Sequence, residues 1–225
     1  MPLRFVRDNS LSIVFGLLFL AALVGQSIAG YNEENEILTA HGEASISYGR
    51  YLVSSSFGVE MLENWQSEYL QFTLFILATI WLFQRGSNES KREEDLGLET
   101  DEQQRIGRHA APNSPRWALR KDWPHRLYAN SLLLVMLTIF VGSWLGQSFT
   151  GWTSYNDEQR QHDQPTVSWA TYLGKGEFWE RTLSNWQSEF LAVGSMAIFT
   201  VYLRQRGSPE SKPVGAPHHE TGSSG

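Results

Sequence analysis

Two copies of one polar word border long apolar runs: Asn64-Trp65-Gln66-Ser67-Glu68 and Asn185-Trp186-Gln187-Ser188-Glu189. A carboxylate at the edge of an apolar helix is costly unless it faces protein or water. If Glu68 and Glu189 converge on one axis, they can bind a cation or share a proton, with one pKa raised by the neighbouring charge. Gln26 and Gln147, each inside a Gly-Gln-Ser word at the end of another apolar run, are placed to hydrogen-bond toward Asn64, Asn185 or the glutamates. Glu68, Glu189, Gln26, Gln147, Asn64 and Asn185 therefore form the candidate ligand-binding set. A simpler structural reading accounts for the same residues without a ligand and is preferred. Asn or Ser caps a helix start, Trp anchors at a membrane interface, and Glu sits at the positive end of the helix dipole.

His41 and His162 are weak metal candidates. With Glu68 and Glu189 they would make a two-His, two-carboxylate set. No His-x-x-x-His or Glu-x-x-His word accompanies them, so they read as ordinary loop histidines and no metal is expected. The absence of cysteine excludes disulfides and thiolate sites. The apolar runs contain no histidine for axial haem ligation. Walker, dinucleotide and Gly-x-Ser-x-Gly words are absent. No catalytic residue and no cofactor are assigned, and the chain does not read as an enzyme. A net charge of −6 argues against nucleic acid as a partner.

The elements that position these residues are four apolar runs, Leu11–Gly25, Tyr69–Leu82, Leu127–Leu145 and Phe190–Leu203, none containing Lys, Arg, Asp, Glu or His. Crossing ~30 Å of hydrocarbon takes about 20 residues, which only the third run approaches unaided. The others extend through their flanks: residues 64–84 cover about 31 Å at 1.5 Å per residue. Trp65, Tyr69, Trp144, Trp152, Trp186 and Tyr202 flank the runs as an aromatic belt. The sequence thus predicts an all-α, four-span transmembrane bundle in contact with the lipid bilayer. Of the 18 Lys and Arg, only Arg50, Arg160, Lys175 and Arg181 lie on the side opposite the termini and central linker. That bias predicts cytoplasmic N- and C-termini.

Residues 9–91 align with 130–212 without a gap, at a constant offset of 121, with 31 identities in 83 positions. The identities include polar words and loop lengths, which chance similarity between greasy helices would not reproduce. The predicted organisation is a first two-span repeat (1–91), a charged cytoplasmic linker (92–126), a second repeat (127–212) and a disordered tail (213–225). Two spans per unit place both copies in the same orientation, related by a pseudo-two-fold along the membrane normal. The N-terminal segment resembles a cleavable signal peptide. Its twin lies in mid-chain, so the first span is expected to be retained. In detail, the first span should end near Gly25 and the second helix begin at Asn64. Ser45–Glu63 should be partly helical along the membrane surface, and Glu93–Arg108 a loose helix.

The paired Asn-Trp-Gln-Ser-Glu-(Tyr/Phe)-Leu and Gln-Arg-Gly-Ser-(Asn/Pro)-Glu-Ser-Lys words resemble an uncharacterised bacterial integral membrane protein family, a domain-of-unknown-function family. The resemblance implies a bacterial inner-membrane location and carries no reaction or ligand. The expected role is non-enzymatic: structural, assembly or lipid contact. The alternative is a small transporter or channel for a cation or proton using Glu68 and Glu189. Small residues in the last run (Ala192, Gly194, Ser195, Ala197, Thr200) offer a face either for a homo-oligomer or for packing inside the bundle.

Overall fold

The computed structural model describes residues 2–222. Among the described residues the chain is helical, with no strand. A short helix α1 (Pro2–Asp8) precedes α2 (Ser10–Ala40), α3 (Tyr48–Tyr51) and α4 (Ser55–Trp81). Three single 3-10 turns and α5 (Trp123–Ala129) occupy the linker. Then come α6 (Ser131–Gln161), α7 (Trp169–Tyr172) and α8 (Gly176–Tyr202). The pairs α2/α6, α3/α7 and α4/α8 have equal lengths of 31, 4 and 27 residues. Each later partner begins 121 residues after the earlier one, as 131 − 10, 169 − 48 and 176 − 55 show.

The helices are longer than the apolar runs. Gly25 does not end α2, which continues to Ala40 through Glu33, Glu34 and Glu36, without a proline to stop it. Asn64 does not begin a helix. The start of α4 lies at Ser55, where the Ser54 hydroxyl accepts from Phe57 N at 3.2 Å. The Asn-Trp-Gln-Ser-Glu words are therefore interior to helices about 40 Å long. Only a 3-10 turn at each end, Glu93–Asp95 and Gly107–His109, marks the expected linker helix. Two helices, α2 and α6, are long and apolar enough to cross a membrane, yet only 6% and 17% of their most apolar 18-residue stretches are buried.

The chain forms two compact units, each discontinuous in sequence. The first combines residues 1–61 with 146–174. In it α2 and α6 end in twin αL turns. Gly42 (φ +76°) and Asp163 (φ +54°) carry the positive φ. Glu43 N reaches Leu38 O at 2.8 Å, and Gln164 N reaches Gln159 O at 2.7 Å, so both ends are Schellman motifs. Asn35 then accepts from Ile46 N at 2.7 Å, and Asn156 accepts from Val167 N at 2.8 Å. Each asparagine ties the returning chain to its helix, satisfying extended backbone that has no sheet to pair with. Ser47 and Ser168 cap α3 and α7 by accepting from Arg50 N and Thr171 N.

These turns press two tyrosines onto the long helices. Tyr51 and Tyr172 are each 1% exposed. A methyl group built on Gly30 would collide with the Tyr51 hydroxyl, and one on Gly151 would stand 2.6 Å from the Tyr172 hydroxyl. Glycine inside a helix ordinarily costs about 1 kcal/mol; here it admits the ring. The Tyr51 hydroxyl has no hydrogen-bond partner, and burial pushes its pKa up to about 12, with Glu60, Glu34 and Glu33 adding to the shift.

The second unit combines residues 62–145 with 175–225, described to residue 222. Both long helices that end here, α4 and α8, finish in the same Gln-Arg-Gly-Ser-x-Glu-Ser-Lys loop. Gly86 and Gly207 share φ +84°. Ser90 Oγ accepts from Gln84 N at 3.1 Å, and Ser211 Oγ accepts from Gln205 N at 2.9 Å. Lys91 then binds Gly97 O at 3.0 Å and pairs with Glu99. Lys212, 1% exposed, donates to the carbonyls of Pro217, His218 and Glu220 at 2.9–3.2 Å. Burial holds its ammonium below the usual lysine range. Residues 213–222 of the tail are thus wrapped round a cation; its last three residues lie outside the described residues.

Substituting Gly30→Ala or Gly151→Ala is expected to destabilise the protein by about 1–3 kcal/mol through overpacking, although helix propensity alone predicts stabilisation. Adding Tyr51→Phe should recover part of the Gly30→Ala loss. Chemical unfolding in detergent, followed by far-UV circular dichroism, decides the sign.

Candidate functional site

The six candidate residues divide between the units: Gln26 and Gln147 belong to the first, Asn64, Glu68, Asn185 and Glu189 to the second. In the second unit the two Asn-Trp-Gln-Ser-Glu words meet on α4 and α8. Gln66, fully buried, accepts from Trp186 Nε1 at 2.7 Å and donates to Glu63 O at 3.0 Å. Ser67 Oγ shares its one proton between Asn64 O at 2.9 Å and Glu189 Oε1 at 3.4 Å. One turn earlier, Arg181 pairs with Glu63 at 3.3 Å and with Glu177 at 3.5 Å. Glu68 and Asn64 are exposed, whereas Glu189 and Asn185 are half-buried. Asn185 donates back to Arg181 O at 2.8 Å within its own helix.

The two words have diverged in their surroundings. Gln66 and Ser67 are buried, but Gln187 and Ser188 are exposed. Trp186 of the second word lies in an aromatic group with Trp144, Phe140, Phe178 and Trp179. Trp144 stacks on Phe178 with ring centres 6.3 Å apart and on Phe140 at 5.8 Å. It also meets Trp186 at 5.9 Å. The positions equivalent to Trp144 and Trp179 are Leu23 and Gly58. In the first unit that Gly58 admits Thr150, whose Cγ2 would lie 2.9 Å from a methyl built there.

Gln147 is 1% exposed and neither amide atom has a hydrogen-bond partner. The expected bond from Gln147 to the returning helix is therefore not made. Burying an unsatisfied amide costs about 1–3 kcal/mol. Gln26, its repeat equivalent, is half-buried. The first unit also contains a cavity of about 1070 Å³, lined among others by Glu34, Glu43, Arg50, Ser54 and Ser55. His41 and His162 stand at its edge with ring centres 5.6 Å apart, edge to face. His41 and His162 belong to the first unit, and Glu68 and Glu189 to the second. Among the described residues no three His, Asp or Glu side chains gather as a metal set.

A smaller cavity of about 210 Å³ in the second unit is walled by Phe72, Phe75, Val193 and Met196, with Glu89 and Glu210 at one end. Burial raises the Glu89 carboxyl above the usual range, and the like charge of Glu210 adds to it.

Several contacts escaped the sequence reading: Gln66 to Trp186, Arg181 to Glu63, the Asn35 and Asn156 ties, and the tyrosines against glycine. The repeat carried a signal for the last two, since Asn35, Tyr51 and Gly30 are each identical to their partners 121 residues on. It carried none for the first two, because Gln187, Ser184 and Glu60 do not reproduce them.

The Gln66–Trp186 bond should be worth about 0.5–1.5 kcal/mol. Trp186→Phe strands the buried Gln66 carbonyl and should cost more than Trp186→Phe made on a Gln66→Leu background. A double-mutant cycle on unfolding free energy measures the difference; additive losses would show that the bond contributes nothing.

No curated protein and no solved structure is similar to the chain. The family model described as Domain of unknown function (DUF6766) matches residues 2–223, and the chain belongs to that family.

Proposed function

We propose that this protein is a four-span bacterial inner-membrane protein, built from two tandem two-helix repeats of like orientation, with both termini in the cytoplasm and a non-enzymatic role in membrane structure or assembly. The observation that carries the reading is the uncovered apolar surface of α2 and α6. Leu11, Phe15, Leu17, Leu18 and Leu20 in α2 are each more than half exposed, as are Leu132 and Val135 in α6. Helices apolar on every side and left uncovered match lipid as their surroundings. The shorter runs of α4 and α8 show the same surface at Leu82, Leu191, Ile198 and Phe199. Equal element lengths at the 121-residue spacing support the duplication, and the Lys and Arg bias supports the orientation.

The polar groups at the level of the paired words support a packing role. Gln66, Ser67, Trp186, Glu189, Arg181 and Glu63 bond to one another. Such bonds hold membrane helices together. The alternative, a cation or proton transporter, draws on one observation: Glu68 remains exposed beside half-buried Glu189 and is near enough for its charge to act there. The two readings separate in proteoliposomes. The packing role predicts no K⁺, Na⁺ or H⁺ flux above protein-free vesicles, while Glu68→Gln combined with Glu189→Gln keeps or raises thermal stability by removing two like charges and Trp186→Phe lowers it by stranding Gln66. A flux carried by the native protein and abolished in a folded double variant overturns it in favour of transport.

A further inference from the structure

His41 and His162 are equivalent by the repeat, and the fold brings them together from the ends of two separate 31-residue helices. Each ring is fixed in the same way. His41 Nδ1 donates to Ile37 O at 2.9 Å, and His162 Nδ1 donates to Glu158 O at 2.9 Å. A backbone carbonyl only accepts, so Nδ1 carries the proton in both rings and the Nε2 lone pair is left available. An Nδ1–H bond to a carbonyl is the arrangement that orients a metal-binding imidazole and fixes which ring nitrogen faces the ion.

The spacing fits one ion. Two imidazoles bound through Nε2 at about 2.0–2.1 Å set their ring centres roughly 5–6 Å apart, and the observed separation is 5.6 Å. Both rings are exposed, so an ion can reach them without opening the fold. The cavity they border contains Glu34, Glu43, Asp157 and Glu158 against Arg50 and Arg160. Asp157 pairs with Arg160, and the remaining carboxylates outnumber Arg50, so the lining is net negative and favours a cation.

We propose that His41 and His162 form a two-histidine site for a borderline divalent transition metal of the Zn²⁺, Ni²⁺ or Cu²⁺ type, which clips the ends of α2 and α6 together. Water completes the coordination, since no third protein ligand gathers at the pair among the described residues. Two imidazoles suit these ions better than Mg²⁺ or Ca²⁺, which prefer oxygen. The site is independent of the membrane reading, because it uses only loop-end residues of the first unit.

The test uses the full chain without an added histidine tag, in detergent micelles, titrated calorimetrically with Zn²⁺ alone. One equivalent should bind per chain and raise the melting temperature. Both effects should disappear in His41→Gln and in His162→Gln, whose side chains remain polar and leave the helix ends intact by circular dichroism. They should persist in His218→Ala with His219→Ala, which removes the tail histidines. With Cu²⁺, electron paramagnetic resonance should show two nitrogen ligands in the native chain and one in either single variant. The proposal is overturned if the native chain binds no Zn²⁺ saturably. It is equally overturned if either single variant binds as the native chain does, or if the tail variant loses the metal.

Discussion

The structure turns on one constraint: a helix satisfies its own backbone but leaves its side-chain surface to whatever surrounds it. Along α2 nearly every side chain from Leu11 to Val24 is apolar, and most are exposed. Each Å² of such surface removed from water is worth roughly 25 cal/mol. In water that surface would drive association; in hydrocarbon it needs no covering. The hydrogen-bond economy follows the same division. Regular helix carries the apolar stretches, and a regular helix satisfies its own backbone groups whether or not water is at hand. The elaborate polar structure is concentrated where helices end, in the Schellman turns, the asparagine ties and the glycine-serine-lysine loops.

The correspondence at a spacing of 121 residues is uneven, and the unevenness has a physical pattern. Features fixed by residues a few positions apart are copied faithfully: Gly42 and Asp163 in αL, Ser47 and Ser168 as caps, Ser90 and Ser211 closing their loops. Features that depend on what a neighbouring helix presents have drifted. Gln66 is buried under Trp186, whereas Gln187 is exposed. Trp144 anchors an aromatic group in the second unit, while its counterpart is Leu23. Identical words therefore contribute different side chains to one contact: Gln66 and Ser67 from the first, Trp186 and Glu189 from the second.

The helical class, the placement of two of the apolar runs on long helices and the matching element lengths were readable from periodicity and repeat. Helix ends were not. Gly25 and Asn64 look like boundaries because glycine and asparagine usually terminate or cap. Here Gly25 and Gly30 are interior, Gly30 because Tyr51 needs the room, and Asn64 is interior because Ser54 already caps the start. The candidate set was half readable. The sequence draws attention to the two words, and the side chains that join them on α4 and α8 are Gln66, Ser67, Trp186 and Glu189. Gln147 was expected to bond across and instead is buried without a partner, an outcome set by packing that no local pattern encodes. The equivalence of His41 and His162 is visible in the sequence, but their approach to 5.6 Å depends on how the helix ends converge.

The surroundings of α2 and α6 are the most direct test of this account. The chain contains no cysteine, so Leu18→Cys and Val135→Cys each accept a single nitroxide label. With the protein in lipid vesicles, both labels should collide freely with dissolved oxygen, which concentrates in hydrocarbon, and be shielded from a water-soluble nickel chelate. Easy access for the nickel chelate with little oxygen enhancement would place these helices in water and contradict the account.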